Sequence, residues 1–305
     1  LLLEKIDDEL IKRIYSLGCD IRTNERLSRH TSLGIGGEVS LFISPYSGVD
    51  FEKLFCELSK EEMNIKIIGR GSNILAGDDS LNLTVMDTSN MTGIEYEGKR
   101  VTVESGYSLR KFVIDLANRG FCGLEKISGI PGSVGGAIRM NAGAYGDEIF
   151  ELVETVTVYD MEKKKRYKLN KNECEPGYRK TVFCNSEQLF IENVTFILNT
   201  DNSERIKTSI LEYAEKRAEK QPVDKKSAGS VFKKPDKDFH VGKVIEELGM
   251  KGYRVGDAEI SSKHSGFIIN RSNATCKDFK ELIQIIKYRV FEKTGVMLET
   301  EIEFW

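Results

Sequence analysis

The residues most able to do chemistry lie in a few short stretches. KKSAGSVFKKP (residues 225–235) sets Ser227 and Ser230 among small residues and between lysines. A hydroxyl and backbone amides beside positive charge suit an anionic substrate, although a solvated basic loop has the same composition. The stretch lacks GxSxG and has no convincing His partner, so serine nucleophilic catalysis is not suggested. CEPGYRKTVF (174–183) presents Tyr178 and Arg179 just after a Pro-Gly turn, where an isolated Tyr-Arg is most often a capped turn with a salt bridge. LETEIEF (298–304) alternates as a strand, with Glu299, Glu301 and Glu303 on one face and Leu298, Thr300, Ile302 and Phe304 on the other. Three solvated carboxylates are the ordinary reading; one could point into a cleft, and the pattern does not choose it.

Two glycine-rich segments could bind a ligand. GRGSNILAGDD (69–79) follows the apolar IKII, placing small residues where N–H groups could face an anion, while Ser72 and Asn73 both donate and accept hydrogen bonds. It is not GxGxxG and opens no long helix, so the dinucleotide-fold fingerprint fails, and a surface hairpin remains an alternative. GIPGSVGGAIRMNAGAYGDE (129–148) ends in no GK[ST], which excludes a Walker A loop. Ile130, Val134, Ile138, Met140 and Tyr145 want burial, which argues against a linker. A glycine-lined wall against a flat or extended cofactor fits the segment better than a purely structural crossing of backbones. Arg139 could pair with a ligand phosphate or simply be solvated.

Helices and strands must position these stretches. Helices are expected over residues 7–17, 49–59, 108–119, 201–221, 239–248 and 277–294 from apolar stripes at helical spacing and from Pro222 as a stop. Strands are expected over 41–43, 65–68, 81–87, 100–106, 152–160, 188–198 and 266–270, with a closing strand over 296–304. The mixture is α+β rather than a regular βαβ series. A chain of 305 residues exceeds what one hydrophobic core usually supports, and the turn-rich change near 199–203 suggests a boundary there.

Forty-five Lys plus Arg against 48 Asp plus Glu give a net charge of −3 with both signs interspersed, which argues against a nucleic-acid binder. Six cysteines without CxxC spacing read as reduced thiols of a cytoplasmic protein, and three histidines without HxxxH make a zinc site unexpected. No apolar run approaches the roughly 20 residues needed to span a bilayer, so no membrane association is expected.

Read together, HTSLGIGG, IIGRGSNILAGD, GLEKISGIPGSVGGAIRMNAGAYGDE, PGYRKTVF, KQPVDKKSAGSVFKKP, AEISSKHSGFIIN and LETEI occur in order over residues 28–304. This series resembles the UDP-N-acetylenolpyruvoylglucosamine reductase (MurB) family of bacterial peptidoglycan synthesis. The resemblance implies a vanillyl-alcohol-oxidase-like FAD-binding region of the PCMH type over 1–200, made of two α+β subdomains split near 85–95. A smaller substrate-binding domain over 201–305 would follow, its final strand returning a Glu to the active site. FAD and NADPH are the implied cofactor and reductant, and a UDP-sugar the implied substrate.

By the same resemblance, Arg70, Gly71, Ser72, Asn73, Ile74 and Leu75 cradle the FAD pyrophosphate, assisted by Gly132, Ser133, Gly135, Gly136 and Ala137, while Asn141 and Gly143 shape the space beside the flavin. His30 and Thr31 precede another cofactor-side segment. Ser230 is the implied proton donor, Arg179 the group holding the substrate carboxylate, and Glu301 the third member of the polar trio. Tyr178, Lys220, Lys233, Lys263 and His264 are implied around the UDP-sugar, with a solvated positive rim as the competing reading. The short spacing from Arg179 to Ser230 resembles the shorter class of these reductases, which lacks the substrate-covering tyrosine loop. The chain departs from the family pattern at Lys234, where Asn is common, at Glu303, where Arg often sits, and at Asp257, which replaces a small residue. A monomer is expected. An oxidase of the same flavoprotein superfamily and a non-catalytic nucleotide-sugar binder are the rival readings; SAGS and the terminal Glu argue against the first, and retention of Arg179, Ser230 and Glu301 against the second.

Overall fold

The computed structural model describes residues 8–61 and 63–305, so the Asp7 start of the expected first helix lies outside the described residues. The first sheet runs Asp20–Arg26, Glu38–Ser44, Leu81–Asp87, Ile65–Ile68, antiparallel at the first pair and parallel at the other two. Its central strands are apolar in runs rather than in alternation because both faces are covered. Leu41 and Ile43 meet helices Asp8–Tyr15 and Gly48–Leu58 through Leu10, Ile14, Phe51 and Leu54, while Phe42 and Val85 pack on the opposite side with Leu27 and Ile74.

Beyond Asp87 the chain enters a second sheet, all antiparallel, in the order Lys165–Asn170, Val153–Asp160, Leu189–Ile197, Arg100–Glu104, Ile94–Glu97. Helix Leu109–Asn118, capped by the Ser108 side chain on Lys111 N, and a short helix Val134–Arg139 bury Phe112, Leu116, Val134 and Ile138 against Val101, Val156 and Phe196. In these two sheets three strands, DIRTNER, IEYE and KRYKLN, go beyond those expected from the sequence. Each is an edge strand held by ladder hydrogen bonds, so its residues carry little of the apolar alternation that marks a half-buried strand.

The third sheet runs Lys226–Ser230, Phe267–Asn270, Ala258–Ile260, Arg254–Val255 and is backed by helices Val241–Glu247 and Cys276–Thr294. The longer helix begins with a capping box between Thr275 and Asp278 and ends at Gly295 in the left-handed region, φ 72°. Its core also takes Leu33, Ile35 and Leu75 from the N-terminal part of the chain. Helix Ser203–Lys220 packs elsewhere: Ile210 lies against the core of the second sheet, and Ser203 Oγ donates to Ala117 O at 2.6 Å.

The expected closing strand is mostly not a strand. Only Glu303–Phe304 is, and it pairs in parallel with Ile74–Leu75, while Thr300 makes an isolated bridge to Phe232. The segment fails to form one ladder because it passes between two partners, bonding Lys233 N and Val231 O on one side and Asn73 O and Leu75 O on the other. The α+β class read from the sequence is the class observed. Among the described residues no helix is long and apolar enough to cross a membrane, and no group of three or more His, Cys, Asp or Glu could hold a metal ion.

Candidate active site

A cavity of about 680 Å³ lies where the three sheets meet. That size is ordinary for a ligand site. Its walls run from Ile65 and Ile67, past both glycine-rich segments, to Arg179, Ser230 and Glu301.

Arg70, Gly71, Ser72, Asn73 and Ile74 line it, as do Gly132, Ser133, Gly135, Gly136, Ala137 and Gly143. The two segments are tied together by Ser72 Oγ, which donates to Pro131 O at 3.1 Å. Gly71, at φ 57°, accepts a bond from Ser32 N, and a Cβ there would stand 2.0 Å from His30 O. Only glycine permits that approach of the HTSLG segment. His30 itself turns away, its Nε2 2.8 Å from Glu25 Oε1 and its ring stacked on Phe42; Thr31 Oγ1 donates to Ile35 O at 2.8 Å.

The second glycine segment is a helix start as well as a wall. Ser133 Oγ caps Val134–Arg139 by accepting from Gly136 N, and Gly135 N donates to Ser105 O at 2.8 Å. A Cβ on Gly135 would be 2.7 Å from Ser105 Cβ, so the close backbone crossing and the cavity wall, which the sequence sets as alternatives, occur at one residue. The helix N–H groups are thereby used internally. Those of Gly71, Ser72, Gly132 and Ser133 have no protein acceptor among the described residues and remain for an anion.

Two residues expected at the cofactor do not reach the cavity. Leu75 is fully buried in the third sheet's core and pairs with Phe304, because the strand that starts at Ile74 turns its side chain inward. Asn141 is fully buried at φ 43°; its Nδ2 donates to Glu148 Oε2 at 2.7 Å and to Gly177 O at 3.0 Å. It braces the turn that carries Arg179.

Arg179 is itself at φ 50°, a costly conformation for a long side chain that the surrounding bonds must hold. Its Nε donates to Glu301 Oε1 at 2.7 Å, Nη2 to Gly143 O at 3.0 Å and Nη1 to Asn141 O at 3.4 Å. Glu301 arrives from the closing segment: its N–H donates to Val231 O at 2.8 Å and its carbonyl accepts from Asn73 Nδ2 at 3.0 Å. Burial raises the Glu301 pKa above the ordinary carboxyl value, opposed by Arg179 and Lys233. Ser230 ends the strand Lys226–Ser230 opposite Phe267, beyond an irregularity that includes Gly229 at φ 77°. Its hydroxyl is engaged by no protein group among the described residues.

The expected substrate rim is only partly assembled here. Tyr178 lines the cavity, its hydroxyl accepting from Lys234 N at 3.3 Å, and Lys234 lines it too. Lys220 is exposed at a helix end, Lys233 pairs with Glu299 at 3.4 Å, and Lys263 Nζ donates to Ala218 O. None of the three lines the cavity, nor does His264, whose Nδ1 accepts from Gly266 N and whose pKa burial lowers. Arg139 is partly exposed but already paired: its Nε meets Glu303 Oε1 at 3.0 Å, and Nη1 donates to Phe183 O. Arg217 and Gln221 also line the cavity, from a charged helix and the residue after it, where the sequence carries no signal for them.

Residues 39–163 match the family described as FAD binding domain, and residues 221–305 match UDP-N-acetylenolpyruvoylglucosamine reductase, C-terminal domain. A UDP-N-acetylenolpyruvoylglucosamine reductase of Thermotoga sp. (strain RQ2) is 44% identical over 98% of both chains, and one of Thermosipho melanesiensis is 45% identical over 97% of this chain and all of its own. The chain belongs to the UDP-N-acetylenolpyruvoylglucosamine reductase (MurB) family. The crystal structure of the MurB from Thermus caldophilus superposes with a TM-score of 0.79 at 31% identity, covering 94% of this chain and 98% of that one. Alkyldihydroxyacetonephosphate synthase, at 13% identity, a TM-score of 0.51 and 66% coverage of this chain, shares the fold alone. The MurB fold here is thus a FAD-binding region of the vanillyl-alcohol-oxidase/PCMH type with a C-terminal MurB domain. The cavity fits FAD: its two glycine segments present N–H groups without a protein acceptor among the described residues, suited to a pyrophosphate, and Arg179, Ser230 and Glu301 line the same cavity.

Proposed function

We infer that this cavity performs the NADPH-dependent reduction of UDP-N-acetylglucosamine enolpyruvate to UDP-N-acetylmuramate, a step of bacterial peptidoglycan synthesis. Membership of the MurB family makes the chain an oxidoreductase, a UDP-N-acetylmuramate dehydrogenase with FAD as cofactor and NADPH as reductant. The observation that carries the site assignment is the convergence of Arg179, Ser230 and Glu301, from three separate parts of the chain, on the cavity that both glycine-rich segments line.

The hydride at C3 of the enolpyruvyl group would come from FAD held by these residues and reduced by NADPH. Negative charge then develops at C2 and on the adjoining carboxylate. Arg179 faces that charge with a guanidinium already oriented by Glu301 and two carbonyls, so little reorganisation is left for the reaction itself. Ser230 supplies the proton to C2; a hydroxyl is a weak acid, and it serves because it is positioned and no protein acceptor holds it. Glu301 orients Arg179. Tyr178 and Lys234 border the substrate. Gly71, Ser72, Gly132 and Ser133 hold the FAD pyrophosphate.

The division into a FAD-binding region over 1–200 and a substrate domain over 201–305 belongs to the same reading, with helix Ser203–Lys220 packed on the second sheet's core although it follows the boundary. The chain works as a monomer in the cytoplasm, where both nucleotides are supplied.

The purified protein should be yellow, bleach with NADPH and reoxidise anaerobically on adding UDP-N-acetylglucosamine enolpyruvate. Correctly folded, FAD-loaded protein that bleaches and is not reoxidised by that substrate would refute the reading.

A further inference from the structure

Glu301 sits where the closing segment changes partners. Ahead of the change, Lys233 N donates to Glu299 O at 3.0 Å and Glu301 N to Val231 O at 2.8 Å. Beyond it, Glu303 N donates to Asn73 O at 2.9 Å, Trp305 N to Leu75 O at 3.1 Å, and Gly77 N to Trp305 O at 3.0 Å. All of these run from backbone to backbone, which any residue but proline can make. The Glu301 carbonyl is the exception, because its donor is a side chain: Asn73 Nδ2, at 3.0 Å.

The register explains why a side chain is used. Ile74 pairs with Glu303 and Leu75 with Phe304 in parallel. Continued by one residue, that ladder would give Glu301 O the backbone N–H of Asn73. The carboxamide takes its place, and the Asn73 N–H joins those of Gly71 and Ser72 in having no protein acceptor among the described residues. The segment is anchored at its other end as well: Asp78 Oδ1 and Oδ2 accept from Cys276 N at 2.7 Å and Lys277 N at 3.1 Å, at the start of the helix whose continuation returns as LETEIEF. With the backbone of residue 301 held from both sides, the Glu301 carboxylate meets Arg179 Nε at 2.7 Å. A shift of that backbone would be a shift of the ion pair.

We propose that Asn73 is a positioning residue for the reaction: its carboxamide sets the backbone of Glu301 and, through Glu301, the direction of the Arg179 guanidinium. The proposal rests on the reaction inferred above. The family resemblance implies Asn73 as a ligand of the cofactor, whereas its side chain is committed to the residue that orients Arg179. Because Asn73 follows directly on Gly71 and Ser72, one short segment registers the reacting end of the cavity to the glycine wall.

The test uses FAD-loaded enzyme with Asn73→Ala, alone and combined with Glu301→Ala; Asn73→Ser is read in the same way should Asn73→Ala fail to fold. Asn73→Ala should lower kcat about 10-fold, the loss expected for one hydrogen bond, with little change in KM for UDP-N-acetylglucosamine enolpyruvate. In stopped flow, NADPH should reduce the flavin at the parent rate, and reoxidation by the UDP-sugar should carry the whole loss. In the Glu301→Ala background the same substitution should cost less than about twofold, because the group it positions is already gone. A readout apart from turnover is the Arg179 Nε–H resonance of the ligand-free protein, assigned by its absence from Arg179→Lys. It should be sharp in the parent, where Glu301 holds it, and broadened in Asn73→Ala. A side chain that serves as a FAD ligand would instead weaken FAD binding and leave that resonance unchanged. This last result, a loss repeated in full in the Glu301→Ala background, or a kcat within about twofold of the parent would overturn the proposal. A parent enzyme that the UDP-sugar does not reoxidise would refute the reaction, and the Arg179 resonance would then decide the positioning by itself.

Discussion

Arg179 and Arg217 line the same cavity in opposite electrostatic states. The first is bonded to Glu301 at 2.7 Å and to two backbone carbonyls; the second has no acid within ion-pair distance among the described residues. A prepaired guanidinium is fixed in direction and loses little motion when charge develops before it, which suits the reacting end. An unpaired one waits for a ligand to bring the anion, which suits binding. The difference teaches that two guanidiniums lining one cavity are held in different states by their neighbours, and that an arginine's partners tell more about it than its position in a cavity.

The largest effect expected on this contrast comes from Ser230→Ala. Loss of a positioned proton donor should cut product formation about 10²- to 10⁴-fold, while NADPH still reduces the flavin in stopped flow. If both half-reactions ran at the parent rate, the reacting end would contain no acid at Ser230, and the contrast would lose one of its terms.

Glu301→Gln makes Arg179 resemble Arg217, and kcat should fall roughly 10- to 100-fold as the guanidinium loses its charged partner. The substitution also has a pH signature. Because burial raises the Glu301 pKa in the folded state, the folded protein holds that proton where the unfolded chain has released it. The parent therefore loses stability as pH rises from the ordinary carboxyl pKa through the raised one, and the variant, which has no such group, does not. The Tm of Glu301→Gln relative to the parent should improve on passing from about pH 4 toward neutrality. A relative Tm that worsened over that interval would show that ion pairing outweighs burial at Glu301.

The smallest effect is expected at Glu303→Gln. Arg139 and Glu303 keep about a third of their side-chain surface exposed, 32% and 36%, so their pair is worth about 0.5 kcal/mol, and Arg139 keeps its bond to Phe183 O. A larger loss in denaturant titration would place Arg139 with Arg179 as a braced residue of the reacting end.

Strands such as Leu81–Asp87 and Leu189–Ile197, and the capped helix Cys276–Thr294, were legible because their apolar residues record the faces they bury. DIRTNER, IEYE and KRYKLN were not, since an edge strand is held largely by backbone bonds that any side chain permits. Tyr178-Arg179 read in isolation as a turn with a salt bridge. The salt bridge exists, but its acid lies 122 positions away, a distance no local pattern reports. The family resemblance supplied what local reading lacked for Ser230, Arg179 and Glu301, yet it also drew Leu75, Asn141 and the lysines toward a cavity they do not line.

What the amino-acid sequence determined by itself were the local elements, the α+β class and the two segments where glycine's freedom is needed. These follow from burial periodicity and from backbone sterics, which act over a few residues. Only the tertiary structure decided that LETEIEF would leave its strand to pass between Val231–Lys233 and Asn73–Leu75, that Glu301 would meet Arg179, and that Arg217 would meet no acid among the described residues. Those outcomes depend on which charges and backbone groups come together when separate sheets close on one another, and charge carries no periodicity that names its partner.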